Sequence, residues 1–363
     1  DVNNLATGAS QVKFNDPDII DFSSVTKGKL DWIALINNSA NWNYYTSNSN
    51  YNTGGYSYIG STTCPAITIA TNLYVNGKWT GKQDTNWFNC GNWDTFVVPD
   101  ETVDVQVGDN LFDRQAIVSS TAPYASYYGN IALTKNLTIT GEKVEIISGN
   151  SNILEVHGNL LLDTPAGALD MDDGNSLTSD GQLFLYGNWT NNIGNAAFEE
   201  GNGTVQFVGS TSQIINNVMP EGTETFYNVI MNNNFDTQVS NDLIATGDLT
   251  LNANKIITVN TNDYLQINKS LINNGTFNIK NTGQLVQVED SGVNSGTGNF
   301  VMERTATVAR TTDYVYWSSP ISNFQVGNVN PSSWLRYKWI PTIPRTYASN
   351  FGGWLATPAN EVM

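Results

Sequence analysis

The residues best placed to do chemistry are the aspartates of Leu169-Asp-Met-Asp-Asp-Gly-Asn-Ser, namely Asp170, Asp172 and Asp173, with Asp180 a little further on. On a strand, alternation puts Asp170 and Asp172 on one face. Three chemistries suit such a group. The first is a solvated turn whose carboxylates accept local backbone hydrogens. The second is a Ca²⁺ site made of Asp170, Asp172, Asp173 and backbone oxygens, although the segment falls short of an EF-hand loop and its distal Glu. The third is a pair of carboxylates flanking a glycosidic bond. The solvated turn is the expected reading, and Ca²⁺ is the cation the group would take.

Trp79, Trp87 and Trp93 fall within fifteen residues. Exposed, they would stack on sugar rings; buried, they would cap a core, and the cap is the expected role. A polysaccharide lyase needs a Lys or Arg base, and the basic residues Lys135, Lys143, Lys255, Lys269 and Lys280 read as solvated surface. His157, the only histidine, has no other His or Cys near it in sequence and reads as a surface or turn residue rather than a metal ligand. No phosphate-binding glycine loop occurs in a strand–helix context. The sequons at Asn136, Asn188 and Asn202 follow from an Asn/Thr-rich composition. The two cysteines, Cys64 and Cys90, cannot form a zinc site alone; in an exported chain they would pair, for roughly 3 kcal/mol.

Positioning these residues requires a fold, and the composition limits which. Charged residues make up only 13% of 363, while 40% are hydrophobic and 11% aromatic, enough apolar surface to exclude disorder. With 16 Lys+Arg against 33 Asp+Glu the formal net charge is −17, which excludes a cationic nucleic-acid footprint and disfavours anionic membranes. No apolar run reaches the ~18–20 residues of a membrane span. Residues 1–10 carry no signal-peptide pattern, and the chain reads as a mature or excised piece of something longer.

From about 100 to 300, short alternating apolar segments recur between Gly- and Asn-rich turns. Asn136-Leu-Thr-Ile, Asn159-Leu-Leu-Leu and Gln182-Leu-Phe-Leu start 23 residues apart. Thr204-Val-Gln-Phe, Asn228-Val-Ile-Met, Asp248-Leu-Thr-Leu and Ser270-Leu-Ile-Asn follow after 22, 24, 20 and 22. A leucine-rich repeat would need a fixed Leu–Asn consensus and a helical return, and neither is present. Second apolar clusters such as Ile153-Leu-Glu-Val and Ile256-Ile-Thr-Val give each repeat two or three strands. The period therefore predicts an all-β, right-handed parallel β-helix of 20–24 residues per coil. Inward Leu, Ile, Val and Phe would stack into one core, each worth roughly 1.5–3 kcal/mol. Asn232-Asn233-Asn234 and Asn273-Asn274-Gly275 are expected corners, with left-handed backbone plausible at Gly141, Gly158, Gly187, Gly209 and Gly247. Three parts are expected: a small β module over 1–75, the β-helix over 76–297 with the Trp/Cys cap, and an incomplete C-terminal β domain over 298–363 rich in Tyr314, Tyr316, Trp317, Trp334, Tyr337, Trp339 and Trp354.

Two segments resemble a known class. Trp79-Thr-Gly-Lys-Gln-Asp-Thr-Asn-Trp-Phe-Asn-Cys-Gly-Asn-Trp, running on to Val97-Val-Pro and Asp104-Val-Gln-Val, is similar to the lead-in of β-helical surface proteins of Bacteroidetes, many of them type IX secretion substrates. Gly298-Asn-Phe-Val-Met-Glu-Arg with Asp313-Tyr-Val-Tyr-Trp-Ser-Ser-Pro resembles the segment that follows their repeats, and Phe198–Ser210 and Phe226–Asn233 resemble their coils. Over residues 75–363 the resemblance implies export, a cell-surface or released location, and a role in adhesion, gliding or glycan contact. It fixes no binding residue, and the C-terminal sorting domain it leads one to expect has no counterpart within residues 75–363. The expected function is a non-catalytic extracellular scaffold or adhesin segment. Its partners would be glycans and the secretion machinery, with neither nucleic acid nor membrane insertion. The alternatives are a lectin-like module and a β-helix lyase or glycoside hydrolase.

Overall fold

The computed structural model describes residues 76–362 except 96, 164–167, 173, 175–178, 218–221, 306–309, 311–314, 317, 320–322, 330–335 and 344–352. The expected module over 1–75 lies outside these residues, as do Cys64, Asp173, Tyr314, Trp317 and Trp334. Two compact units divide the chain, 1–304 and 305–363.

The first unit is a parallel β-solenoid. Each coil contributes one short strand to each of three faces. The first face is a single ten-stranded sheet from Asn76–Lys78 to Asn299–Met302. The second face is an eight-stranded sheet from Ile131–Thr134 to Asn294–Ser295. The third is two separate four-stranded sheets, one ending at Phe198–Glu199 and the other beginning at Thr223–Phe226. At about 4.8 Å between neighbouring strands, the ten-stranded face extends roughly 43 Å. Asn299–Met302 still pairs with Thr276–Ile279, so the coils run past the expected boundary at 297. Helical segments among the described residues are single 3₁₀ turns, and none is long and apolar enough to cross a membrane.

Alternation decides which side chains enter the core. On the second face Leu154, Leu183, Val205 and Val229 stack in register, as do Val156, Leu185, Phe207 and Met231, and all are buried. Burying such a side chain stabilises by roughly 1.5–3 kcal/mol, and a coil buries its apolar residues only by stacking on neighbours. Along this face the paired positions step by 22, 29, 22, 24, 20, 22 and 23 residues. One coil is thus longer than the 20–24 expected, and it is the coil that carries the aspartate segment, between Leu160–Leu162 and Gln182–Leu185.

Asparagines lock the coils at the corners. Asn136 Nδ2 donates to Asp104 Oδ1 (2.6 Å), and Asn136 Oδ1 accepts from the Asn159 backbone N–H (2.7 Å). Asn159 Oδ1 accepts from Asn188 N–H (2.9 Å), and Asn188 Oδ1 from Ile214 N–H (2.9 Å). A second ladder takes over one corner earlier in the coil, from Asn228 Oδ1 to Asp248 N–H (3.0 Å) and from Asp248 Oδ1 to Ser270 N–H (2.9 Å). The expected corners do cap backbone: Asn233 Oδ1 accepts from Phe235 N–H, and Asn273 Oδ1 from Gly275 N–H. Left-handed backbone, however, falls on Asn241, Asn254, Asn262 and Asn281 instead.

The five glycines singled out for positive φ do not adopt it. Their role is close approach. A Cβ on Gly158 would lie 2.2 Å from Asn136 Oδ1, and one on Gly187 would lie 2.3 Å from the Gly158 carbonyl oxygen, so these corners stack backbone on backbone.

In the second unit, Tyr337–Trp339 pairs antiparallel with Trp354–Ala356, and the Trp339 and Trp354 rings meet at 5.2 Å. Gln325 bridges to Val362 in the same sense.

Candidate functional site

The residues expected to carry chemistry are held in structural work. Leu169–Asp170 is a two-residue strand on the third face, in register with Val144–Ile146 on one side and Phe198–Glu199 on the other. It ends at Asp170, so Asp170 and Asp172 do not share a strand face. Asp170 is almost buried and accepts from Lys143 Nζ at 2.5 Å. That hydrogen bond is the main reason the Lys143 ammonium holds its proton more tightly than usual. Asp170 Oδ1 accepts from Asp172 N–H (2.9 Å), and Asp172 Oδ1 from Gly174 N–H (2.7 Å), so the local Asx contacts are present although Asp170 itself is buried rather than solvated. Asp180 Oδ2 accepts from the backbone of Asn202 in the next coil (2.5 Å). Among the described residues no group of three His, Cys, Asp or Glu side chains is placed to hold a metal ion.

Because Asp170 is buried and Lys143 is about a third exposed, removing one partner strands the other at moderate cost. Asp170→Ala is expected to lower stability by about 1–2 kcal/mol. The urea midpoint measures this, and an unchanged midpoint would remove the pair from the account of the fold.

The tryptophans form a plug. Trp79, Trp87 and Trp93 are fully buried beside Phe88 and Cys90. Trp93 meets Trp79 edge-on at 5.1 Å and Trp87 at 4.8 Å. The indole N–H of Trp79 donates to the Arg114 carbonyl (2.8 Å) and that of Trp93 to the Trp87 carbonyl (2.8 Å). No ring face is open to a sugar, so as candidate binding residues they are corrected to the capping role. Asp84 ties the loop together, accepting from Asn92 Nδ2 (2.6 Å) and Asn89 Nδ2 (2.8 Å).

The basic residues are engaged as well. Lys135 lies 3.4 Å from Asp104, Lys280 2.6 Å from Glu303, and Lys255 donates to Asn234 Oδ1 (2.5 Å). Lys269 donates to the Tyr227 hydroxyl at 2.8 Å. His157 Nε2 lies 3.1 Å from Glu155 Oε2, and the imidazole stacks on Tyr186 at 4.3 Å.

One group was not singled out in the sequence. Glu224, 1% exposed, points into the core of the solenoid. Its Oε2 accepts from Asn191 Nδ2 at 2.9 Å and lies 3.5 Å from Asn217 Nδ2. Burial pushes its carboxyl up to about 7, against the pull of the Trp189 and Asn191 side chains and the Thr225 backbone. The signal was legible: in Thr-Glu-Thr-Phe, alternation that buries Phe226 also buries Glu224.

Residues 212–363 match the model of a family described as a domain of unknown function (DUF8693), which covers less than half of the chain. The match begins inside the solenoid, one residue before the strand Gln213–Asn217, and continues through the second unit. Comparison with curated proteins gave no match, and comparison with solved structures gave none. The fold is what stands: a parallel β-solenoid.

Proposed function

We propose that this chain is a non-catalytic scaffold or adhesin segment of an extracellular surface. The observation that carries the proposal is the employment of its reactive side chains. The aspartates close turns and bind Lys143, the tryptophans plug one end, and the lysines pair with acids, amides or a phenol. A lyase base or a hydrolase carboxylate pair has to face substrate, and these groups face their own coils. What remains on the first face is largely Thr, Asn, Gln and Ser, such as Thr138, Thr190, Asn216 and Ser240, a polar uncharged surface suited to contact with glycans.

Export by type IX secretion, a role in adhesion or gliding, and pairing of Cys90 with Cys64 belong to the same proposal. They rest on the sequence resemblance and on the expectation for an exported chain.

The test is incubation with acidic and neutral polysaccharides, with and without Ca²⁺, measuring retention together with new reducing or unsaturated ends. Retention without new ends is expected. New ends would overturn the non-catalytic reading and return attention to the segment around Asp170.

A further inference from the structure

The third face of the solenoid is interrupted. Among the described residues no pairing joins Phe198–Glu199 to Thr223–Phe226, whereas the other two faces run through the same coils without a break. Trp189–Asn191 pairs with Gln213–Asn217 on the first face, and Thr204–Phe207 pairs with Asn228–Met231 on the second. The coils on either side are therefore stitched together on two faces of three. The family match starting at 212 begins in this same interval.

At the interruption the interior changes character. The buried column that reads Ile139 and Leu162 in earlier coils becomes Asn191 and then Asn217 in register. Asn191 also fixes the turn leading to Phe198, donating to the Gly194 carbonyl (3.0 Å) and accepting from Ile193 and Gly194 N–H. The rings of Trp189, Phe198 and Phe226 complete this section, with Trp189 5.0 Å from Phe198 and 4.8 Å from Phe226. Glu224 enters from the far side of the break and reaches back to Asn191, so its carboxyl spans the gap that strand pairing leaves open.

Among the described residues an ion here meets neutral donors but no cation. Glu224 takes part in none of the ion pairs among the described residues, and its Oε1 is buried with no hydrogen-bond partner. The charged residues on the neighbouring elements are acids. Glu200 sits close enough to raise its proton affinity, Glu199 lies on the strand before the break, and Asp242 lies on the strand paired with Thr223–Phe226.

We propose that Glu224 is a proton-controlled latch on this seam, closing the third face when protonated and loosening it when ionised, while the other two faces hold the coils together. A neutral carboxyl keeps its bond to Asn191 and carries no charge to desolvate. An anion is held only by neutral donors and has no cation beside it among the aromatic rings, and local opening that admits water relieves it. The direction follows from linkage. Burial raises the folded-state value to about 7, so the stabilisation is complete below the ordinary glutamate range, declines as pH rises, and is lost above about 7.

Hydrogen exchange of the full chain, corrected for the intrinsic pH dependence of exchange, tests the latch. Amides of 195–199 and 222–226 are expected to lose protection on the order of 50-fold between pH 5 and pH 9. The distant strands Leu249–Leu251 and Ile256–Val259 should change little. Glu224→Gln, which cannot ionise, should abolish the pH dependence at the seam. A flat wild-type profile, or a loss of protection spread uniformly along the coils, would overturn the proposal even if the variant fails to fold. An unaltered pH dependence in a folded Glu224→Gln protein would overturn it too.

Discussion

Trp93→Ala should lower the stability of the N-terminal coils by about 3–5 kcal/mol, among the largest effects of any single truncation in this chain. Trp93 is fully buried between two other indoles, bridges to Trp79 and donates its N–H to Trp87. The loss therefore combines cavity formation with two edge-to-face contacts, each worth about 0.5–1.5 kcal/mol beyond burial. The consequence is also directional. A solenoid is stabilised mainly between nearest neighbours, so uncapping its first coil frees that coil before the others. Asn76–Lys78 and Asp104–Val107 would fray, exposing unpaired strand edges that template association. Equilibrium unfolding followed by tryptophan emission should show a new early transition, with light scattering rising at the same denaturant concentration. A single transition at the wild-type midpoint would show that the plug does not seal the end. Trp339, half exposed in the second unit, serves as the comparison and should cost far less.

How much of this was legible in the sequence depends on which physical rule set each feature. The coil period could be read because inward positions must stack, and stacking imposes a recurring apolar pattern. The face could not. Asn136-Leu-Thr-Ile and Asn159-Leu-Leu-Leu lie on the first face, while the segments aligned with them from Gln182 onward lie on the second. Both faces begin with a polar residue followed by alternating apolar ones, so the two are indistinguishable by pattern. That shift of face turned a 29-residue coil into an apparent 23. The true step is recorded instead in the asparagine ladder, where Asn159 meets Asn188. The Asx contacts at Asp170 and Asp172 are legible because their geometry is local, within two residues, whereas the burial of Asp170 on a strand is not. Nor is its ion pair with Lys143, since that contact crosses coils 27 residues apart. The glycines were noticed for the wrong reason. Composition shows that no side chain fits, but not whether φ or a neighbour forbids it.

The distinction between those two reasons yields the second large effect. Gly187→Ala places a methyl group 2.3 Å from the Gly158 carbonyl oxygen, 2.4 Å from its carbon and 2.6 Å from Asn159 Oδ1. Two of these three are backbone atoms, which cannot swing aside as a side chain would. To admit the methyl, the coil must lift from the one beneath it, which breaks the Asn159 to Asn188 rung and strains the adjacent Tyr186 to Val156 backbone bond. Overpacking in a compliant core costs about 1–3 kcal/mol. Here the obstacle is backbone and a ladder bond is lost as well, so a cost at or above about 3 kcal/mol is expected, with a sharp fall in soluble yield. Gly129 supplies the contrast. It has φ of +67° and nothing within 4 Å of its would-be Cβ, so Gly129→Ala meets only left-handed strain, about 1 kcal/mol. Thermal midpoints of the two variants separate the mechanisms. If both fall by the same small amount, the corners do not stack as closely as the structure places them, and the asparagine ladder loses its role as the part that sets the spacing between coils.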